Sequence, residues 1–172
     1  MAYSMITLEN FETIGDWTAS SADVGTVAAS SVRLTGTKSV SFAKSNSSAD
    51  STYAGVYKTI SPALNLTEDL ILPSDRIVWV VYVSATTNID SAYIRLGEST
   101  TNYLEWRFAD TTMIAGWNYC YSSIGKAYLG GTGWAPGDVN YIEAGVIMDA
   151  ETNELEGILV DSAYIQPANL AG

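Results

Sequence analysis

Nine consecutive residues, Arg76 to Ser84, read Arg-Ile-Val-Trp-Val-Val-Tyr-Val-Ser, apolar at nearly every position and free of Gly and Pro. β-Branched and aromatic side chains fit a pleated surface, so the run predicts a strand buried on both faces. Turn signals bound it, Pro73-Ser74-Asp75 before and Ala85-Thr86-Thr87-Asn88 after, which leaves strand length and too little for a buried helix. A strand covered on both faces needs a second layer. The chain is therefore expected to be a β-sandwich with this strand at its middle.

The rest of the chain agrees. Met5 to Leu8, Lys38 to Lys44, Tyr53 to Ile60, Ala92 to Leu96, Asn102 to Phe108 and Gly116 to Tyr121 all read as strands between turn-forming clusters. Residues 18 to 31 are small and polar, but Val24, Val27, Val32 and Leu34 argue for short strands there. Pro62 and Pro73 predict a crossover from Ser61 to Asp75, with Leu64, Leu66, Leu70 and Leu72 covering an open end of the core. Gly97 to Thr101 predicts a hairpin turn. Ser122 to Asp138 reads as a Gly-rich excursion carrying Tyr128 and Trp134, after which Val139 to Met148 is expected to pair with Leu155 to Val160 across an acidic turn. Together these give an all-β, single antiparallel β-sandwich, a jelly roll of about nine or ten strands, spanning residues 1–172 as one domain.

Charge narrows the function. Eight Lys and Arg stand against 19 Asp and Glu, a formal charge of −11. Nucleic acid and anionic membrane both need a basic footprint, so neither is an expected partner. The chain has no His, the commonest general base and transition-metal ligand, and its single Cys120 allows no internal disulfide. Its first residues lack the basic start and apolar core of a signal peptide.

Three segments carry a family resemblance. Leu8-Glu9-Asn10-Phe11-Glu12 with Trp17, Gly36-Thr37-Lys38-Ser39-Val40-Ser41-Phe42, and Leu155 to Ile165 with its Val160-Asp161 step resemble the entry, second and closing strands of carbohydrate-binding modules and of laminin-G-like or concanavalin-like jelly rolls. The resemblance implies this fold over nearly the whole chain. It also implies a structural calcium, not required for any chemistry, between the first and last strands, with Glu9 or Glu12 and Asp161 as ligands. Glu12 and Asp161 read equally well as ordinary turn and edge residues. Asp149 to Glu154 lacks the glycine and the ligand spacing of an EF-hand and reads as an acidic turn.

The binding candidates lie on the polar side of the predicted hairpin: Tyr93, Arg95, Tyr103, Glu105 and Arg107, joined by Trp117, Tyr119 and Tyr121 if those rings face outward rather than into the core. Flat rings under sugar C–H faces and charged groups for hydroxyls make this set suitable for glycans. The plainer alternative is a solvated or intersubunit sheet face braced by Arg–Glu pairs. The glycosidase signature of closely spaced carboxylates on one strand is absent, and Glu105 and Glu143 each stand alone on their strands.

Jelly rolls of this kind recur in bacteriophage particles. A chain rich in Ser, Thr, Ala and Gly, with its own Met and no export signal, is expected first as a non-enzymatic virion structural protein, a capsid decoration or cement protein or a tail component. It would be made in host cytoplasm and would meet major capsid or tail proteins as a homo-oligomer within the assembly, with Tyr128 and Trp134 either anchoring contacts or folding back over one end of the sandwich. The second expectation is a carbohydrate-binding module that recognises a glycan, such as one on the host, through the hairpin face.

Overall fold

The computed structural model describes residues 5–46, 51–67, 72–131 and 135–168. Among them twelve strands form: β1 (Ile6–Glu9), β2 (Thr18–Ala19), β3 (Ala28–Ser30), β4 (Ser39–Lys44), β5 (Tyr53–Leu64), β6 (Arg76–Val83), β7 (Ile89–Ser99), β8 (Asn102–Ala109), β9 (Gly116–Ser123), β10 (Tyr128–Gly130), β11 (Val139–Met148) and β12 (Leu155–Gln166). The described helical pieces are three single 3-10 turns.

Two antiparallel sheets of six strands face one another. The first runs β3-β4-β12-β6-β9, with β1 added along the second half of β12; the second runs β10-β8-β7-β11-β5-β2. The apolar run proposed as the organising strand is β6, paired on both sides, by β12 and β9. Ile77, Trp79, Val81 and Val83 point into the core. Val78 and Val80 face outward yet are also buried, because Tyr119, Tyr121 and Tyr164 flank them in register on the neighbouring strands. Each fully buried aliphatic side chain of this kind stabilises the fold by about 1.5–3 kcal/mol.

In the second sheet, alternation does what the sequence pattern predicts. Ala92, Ile94 and Leu96 of β7, Trp106 of β8 and Ile142, Ala144 and Val146 of β11 fill the core, and Leu104 and Phe108 pack against it. Period two then sends Tyr93, Arg95, Tyr103, Glu105, Arg107, Tyr141 and Glu143 to the opposite face.

Several expectations are corrected. The strands number twelve because β2, β3 and β10 are only two or three residues long. The strand β11 does not form a hairpin with β12; it sits between β7 and β5 in the second sheet, while β12 lies in the first. Both are buried on two faces, so the acidic turn between them carries the chain from one sheet to the other. The strand β5 continues past Pro62 to Leu64, and its pairing with β11 skips from Thr59 to Leu64, so the missing proline N–H falls in the irregular stretch. The hairpin turn is shorter than expected, since β7 continues through Gly97 to Ser99. Val24 is buried and Val27 packs on the core, but Val32 and Leu34 are exposed. Leu66 is buried as a lid residue, whereas Leu72 is exposed; Leu70 lies outside the described residues.

Candidate functional site

The outward face of the second sheet gathers four strands' polar side chains into one network. Arg95 and Glu105 are cross-strand partners on β7 and β8, and Arg95 and Glu143 are partners on β7 and β11. Register therefore places one guanidinium between two carboxylates: Arg95 Nε lies 2.7 Å from Glu105 Oε2 and Nη1 lies 3.0 Å from Glu143 Oε2. Arg107 Nε donates to Glu105 Oε1. Tyr53 donates to the same oxygen at 3.2 Å and accepts from Arg107 Nη2 at 2.7 Å. Tyr93 donates to Glu143 Oε1 and Tyr141 to Glu143 Oε2. Two arginines balance two glutamates, which is what permits both carboxylates to be buried.

The rings are fixed by the same cations. The Arg95 guanidinium carbon stands 4.3 Å from the Tyr53 ring centroid and 4.4 Å from that of Tyr103, and Arg107 stands 4.7 Å from that of Tyr128. Contacts of this kind stabilise by about 0.5–2 kcal/mol each and hold the rings before any ligand arrives. Tyr93 is wholly buried at the floor, edge-on to Tyr53 with centroids 5.0 Å apart. Gly55 makes room for it: a Cβ there would sit 2.2 Å from the Tyr93 hydroxyl. Gly130 does the same for Tyr103, whose ring would be 2.3 Å from a Cβ at that position.

Burial alone would lower the Arg95 pKa, but the charges of Glu143 and Glu105 outweigh it and the guanidinium is held charged well above its ordinary range. Burial first, then the charge of Glu143, pushes the Tyr93 and Tyr141 phenols up, so both remain donors. The Tyr53 phenol is raised by burial and by Glu105.

Two depressions run over this face. One, of about 190 Å³, is lined by Tyr53, Tyr57, Tyr141, Glu143, Arg95 and loop residues including Ser20 and Ser51. The second, of about 110 Å³, is lined by Tyr53, Tyr103, Glu105, Arg107 and Tyr128 with the β10 backbone. Tyr53 borders both, so they lie side by side as a groove-like surface over β5, β11, β7, β8 and β10. Every oxygen of Glu105 and Glu143 accepts from an arginine or a tyrosine.

The sequence candidates thus divide. Tyr93, Arg95, Tyr103, Glu105 and Arg107 come together as expected, and Tyr128 joins them because β10 pairs with β8, Tyr128 opposite Glu105. Trp117 does not. It lies on the outer face of the first sheet with Tyr119 and Tyr121, packed edge-on against Tyr82 at 5.4 Å, while Cys120 points inward opposite Trp79. Burial pushes the Cys120 thiol up, which makes it a core residue and no nucleophile. Trp134 lies outside the described residues. Tyr53, Tyr57, Tyr141 and Glu143 complete the site and were not singled out as binding residues. Their alternation was legible, but the adjacency of β11 to both β7 and β5 was not.

Of the carboxylates expected as calcium ligands, Glu12 and Asp161 both bind the loop before β4, and Glu9 is engaged elsewhere. Asp161 is buried and accepts from the Leu34 and Thr35 amides and the Thr35 hydroxyl. Glu12 accepts from the Thr37 amide and hydroxyl, with Gly36 in the left-handed region at φ 59° so that its carboxylate can approach. Glu9 pairs with Lys58 at 2.8 Å and caps the Asn10 and Phe11 amides. Asp161 and Glu12 thus hold adjacent residues of one loop, Leu34 to Lys38, and among the described residues no group of three or more potential ligands is placed to hold a metal ion.

No family model and no curated protein matches the chain. Solved structures do. A family 11 carbohydrate-binding module from Clostridium thermocellum, in complex with a β-1,3-1,4-mixed-linked tetrasaccharide, superposes with a TM-score of 0.66 at 12% identity, covering 98% of each chain. The fold is the carbohydrate-binding-module jelly roll. A carbohydrate-binding module described for specific mannan recognition aligns over 94% of each chain with a TM-score of 0.50 at 9% identity. An exo-β-agarase contains the same fold within a larger protein, matching 96% of this chain and 25% of its own at a TM-score of 0.57 and 10% identity.

Proposed function

We infer that this jelly roll is a non-catalytic glycan-binding module that takes a segment of polysaccharide along the outer groove of its second sheet. The observation that carries this reading is the groove itself, a run of Tyr57, Tyr53, Tyr103 and Tyr128 across one sheet face, the last three held in place by Arg95 and Arg107. Tyrosine rings offer flat apolar surface to sugar C–H groups, and the arginine edges and phenols offer donors to hydroxyls. The fold shared with modules that bind sugars supports it. The engagement of Glu105 and Glu143 by arginine and tyrosine donors is consistent with binding without hydrolysis. The expectation of a virion structural role, with capsid or tail partners and assembly into an oligomer, gains no support from the fold or the groove.

The test is affinity electrophoresis and calorimetry of the purified chain against soluble mixed-linkage β-glucan, mannan and agaro-oligosaccharides, followed by reducing-sugar release over long incubation. Binding that weakens in Tyr103→Ala and Tyr128→Ala, with no sugar released, upholds the reading. Retention of full affinity in both variants would place the binding surface elsewhere.

A further inference from the structure

At Arg107 a further pocket adjoins the sheet face. The strand β10 covers β8 only as far as Glu105, so at Arg107 β8 is the edge of its sheet. There it meets the end of β9 from the other sheet, with Phe108 and Tyr121 in contact at 5.5 Å. Between them opens a pocket of about 350 Å³, larger than either depression on the sheet face, which Arg107 borders as it borders the groove. Arg76 and Lys126 stand at the same pocket, with the hydroxyls of Ser122 and Ser123.

Its charge is anomalous for this chain. Carboxylates outnumber cations 19 to 8, yet three of the eight cations line this one pocket and no carboxylate lines it. Two acids on the neighbouring elements are engaged elsewhere. Glu105 holds Arg107 from the groove side through Nε, and Asp75 accepts from the Leu72 and Ala168 amides. Among the described residues, Arg76 and Lys126 form no ion pair, and Arg107 Nη1 has no hydrogen-bond partner. Arg76 is nevertheless positioned, its guanidinium carbon 5.1 Å from the Tyr121 ring centroid. Three cations at one pocket, of which Arg76 and Lys126 have no ion pair among the described residues, with Ser122 and Ser123 beside them suit an oxyanion.

We propose that this pocket is a subsite for the acidic substituent of an anionic polysaccharide, a carboxylate or a sulfate ester, on the sugar next to those held by the sheet face. This rests on the reading of the sheet face as a glycan groove and names its ligand class. Charge-assisted bonds from Arg76 and Lys126 would then select an acidic chain over a neutral one of the same shape.

The experiment compares wild type, Arg76→Ala/Lys126→Ala and Tyr103→Ala by calorimetry against polygalacturonate, dextran sulfate, neutral mixed-linkage β-glucan and a single-stranded RNA. Arg76 and Lys126 are exposed, and thermal melting confirms that the double variant folds. The expected result is an acidic polysaccharide bound by wild type, with affinity falling about tenfold or more in the double variant and also falling in Tyr103→Ala. Preference for polygalacturonate or for dextran sulfate identifies the oxyanion. Neutral glucan bound equally by wild type and double variant, with neither acidic polymer bound more tightly, overturns the subsite and leaves the groove standing. Acidic polymer bound equally by all three proteins overturns both. RNA bound as tightly as the polysaccharides reduces the pocket to a charge patch and overturns the proposal.

Discussion

Arg95 and Glu143 face one another in register across β7 and β11, with Arg95 Nη1 3.0 Å from Glu143 Oε2. The same guanidinium holds Glu105 on its other side, so it is the counter-charge for two carboxylates that are each almost fully buried. Removing it leaves both without that partner at once. Arg95→Ala is expected to destabilise the chain by about 3–5 kcal/mol, measured as a lower urea midpoint with an unchanged m-value. Replacing all three groups, Arg95→Met with Glu105→Gln and Glu143→Gln, should recover part of the loss. A loss under about 1 kcal/mol in Arg95→Ala would mean that the network is more solvated than its geometry implies.

Tyr128 and Trp117 separate binding from packing. Tyr128 is 57% exposed at the groove and meets Arg107 only by a ring contact, so Tyr128→Ala should move the melting temperature little while weakening glycan binding about two- to tenfold. Trp117 lies on the far sheet against Tyr82, and Trp117→Ala should leave glycan affinity unchanged. The reverse outcome, with Trp117 mattering and Tyr128 not, would move the site to the first sheet.

How far this could be read in advance depended on distance along the chain. The face formed by Tyr93, Arg95, Tyr103, Glu105 and Arg107 was legible because a hairpin needs only local turn chemistry and a period of two. Glu143 was visible as an isolated acid on its strand, but its place beside Arg95 follows from β11 inserting between β7 and β5, a pairing that no local signal encodes. The same blindness produced the false β11–β12 hairpin. Trp117 stayed ambiguous because Trp117, Tyr119 and Tyr121 alternate with Asn118 and Cys120, and either set can face a core. The structure turns Cys120 inward.

Asp161, expected as a calcium ligand, is engaged by the protein's own donors. Its oxygens are filled by the Leu34 and Thr35 amides and the Thr35 hydroxyl, tying the loop before β4 to the last strand. Asp161→Ala would leave two part-buried amides without an acceptor and is expected to cost about 3 kcal/mol. If the clamp needs no ion, calcium chelation of the wild type should leave its melting temperature unchanged. A drop on chelation that added calcium restores would show that a cation shares the site.

The buried phenols set the behaviour in alkali. Tyr93 and Tyr141 both hydrogen-bond Glu143, and burial together with that charge raises their pKa values above the 10.0 of a free tyrosine. The folded chain therefore holds these protons more tightly than the unfolded chain does. Their contribution to stability is complete below about pH 10 and is lost as pH rises above it, because the unfolded state ionises first. Tyrosinate absorbance from these two rings should appear together with the loss of circular dichroism rather than before it. In Tyr141→Phe one proton fewer is released on unfolding, so the fall of unfolding free energy with pH above 10 should be shallower by up to about 1.4 kcal/mol per pH unit. An unchanged slope would mean that Tyr141 ionises within the folded chain, with its bond to Glu143 already broken.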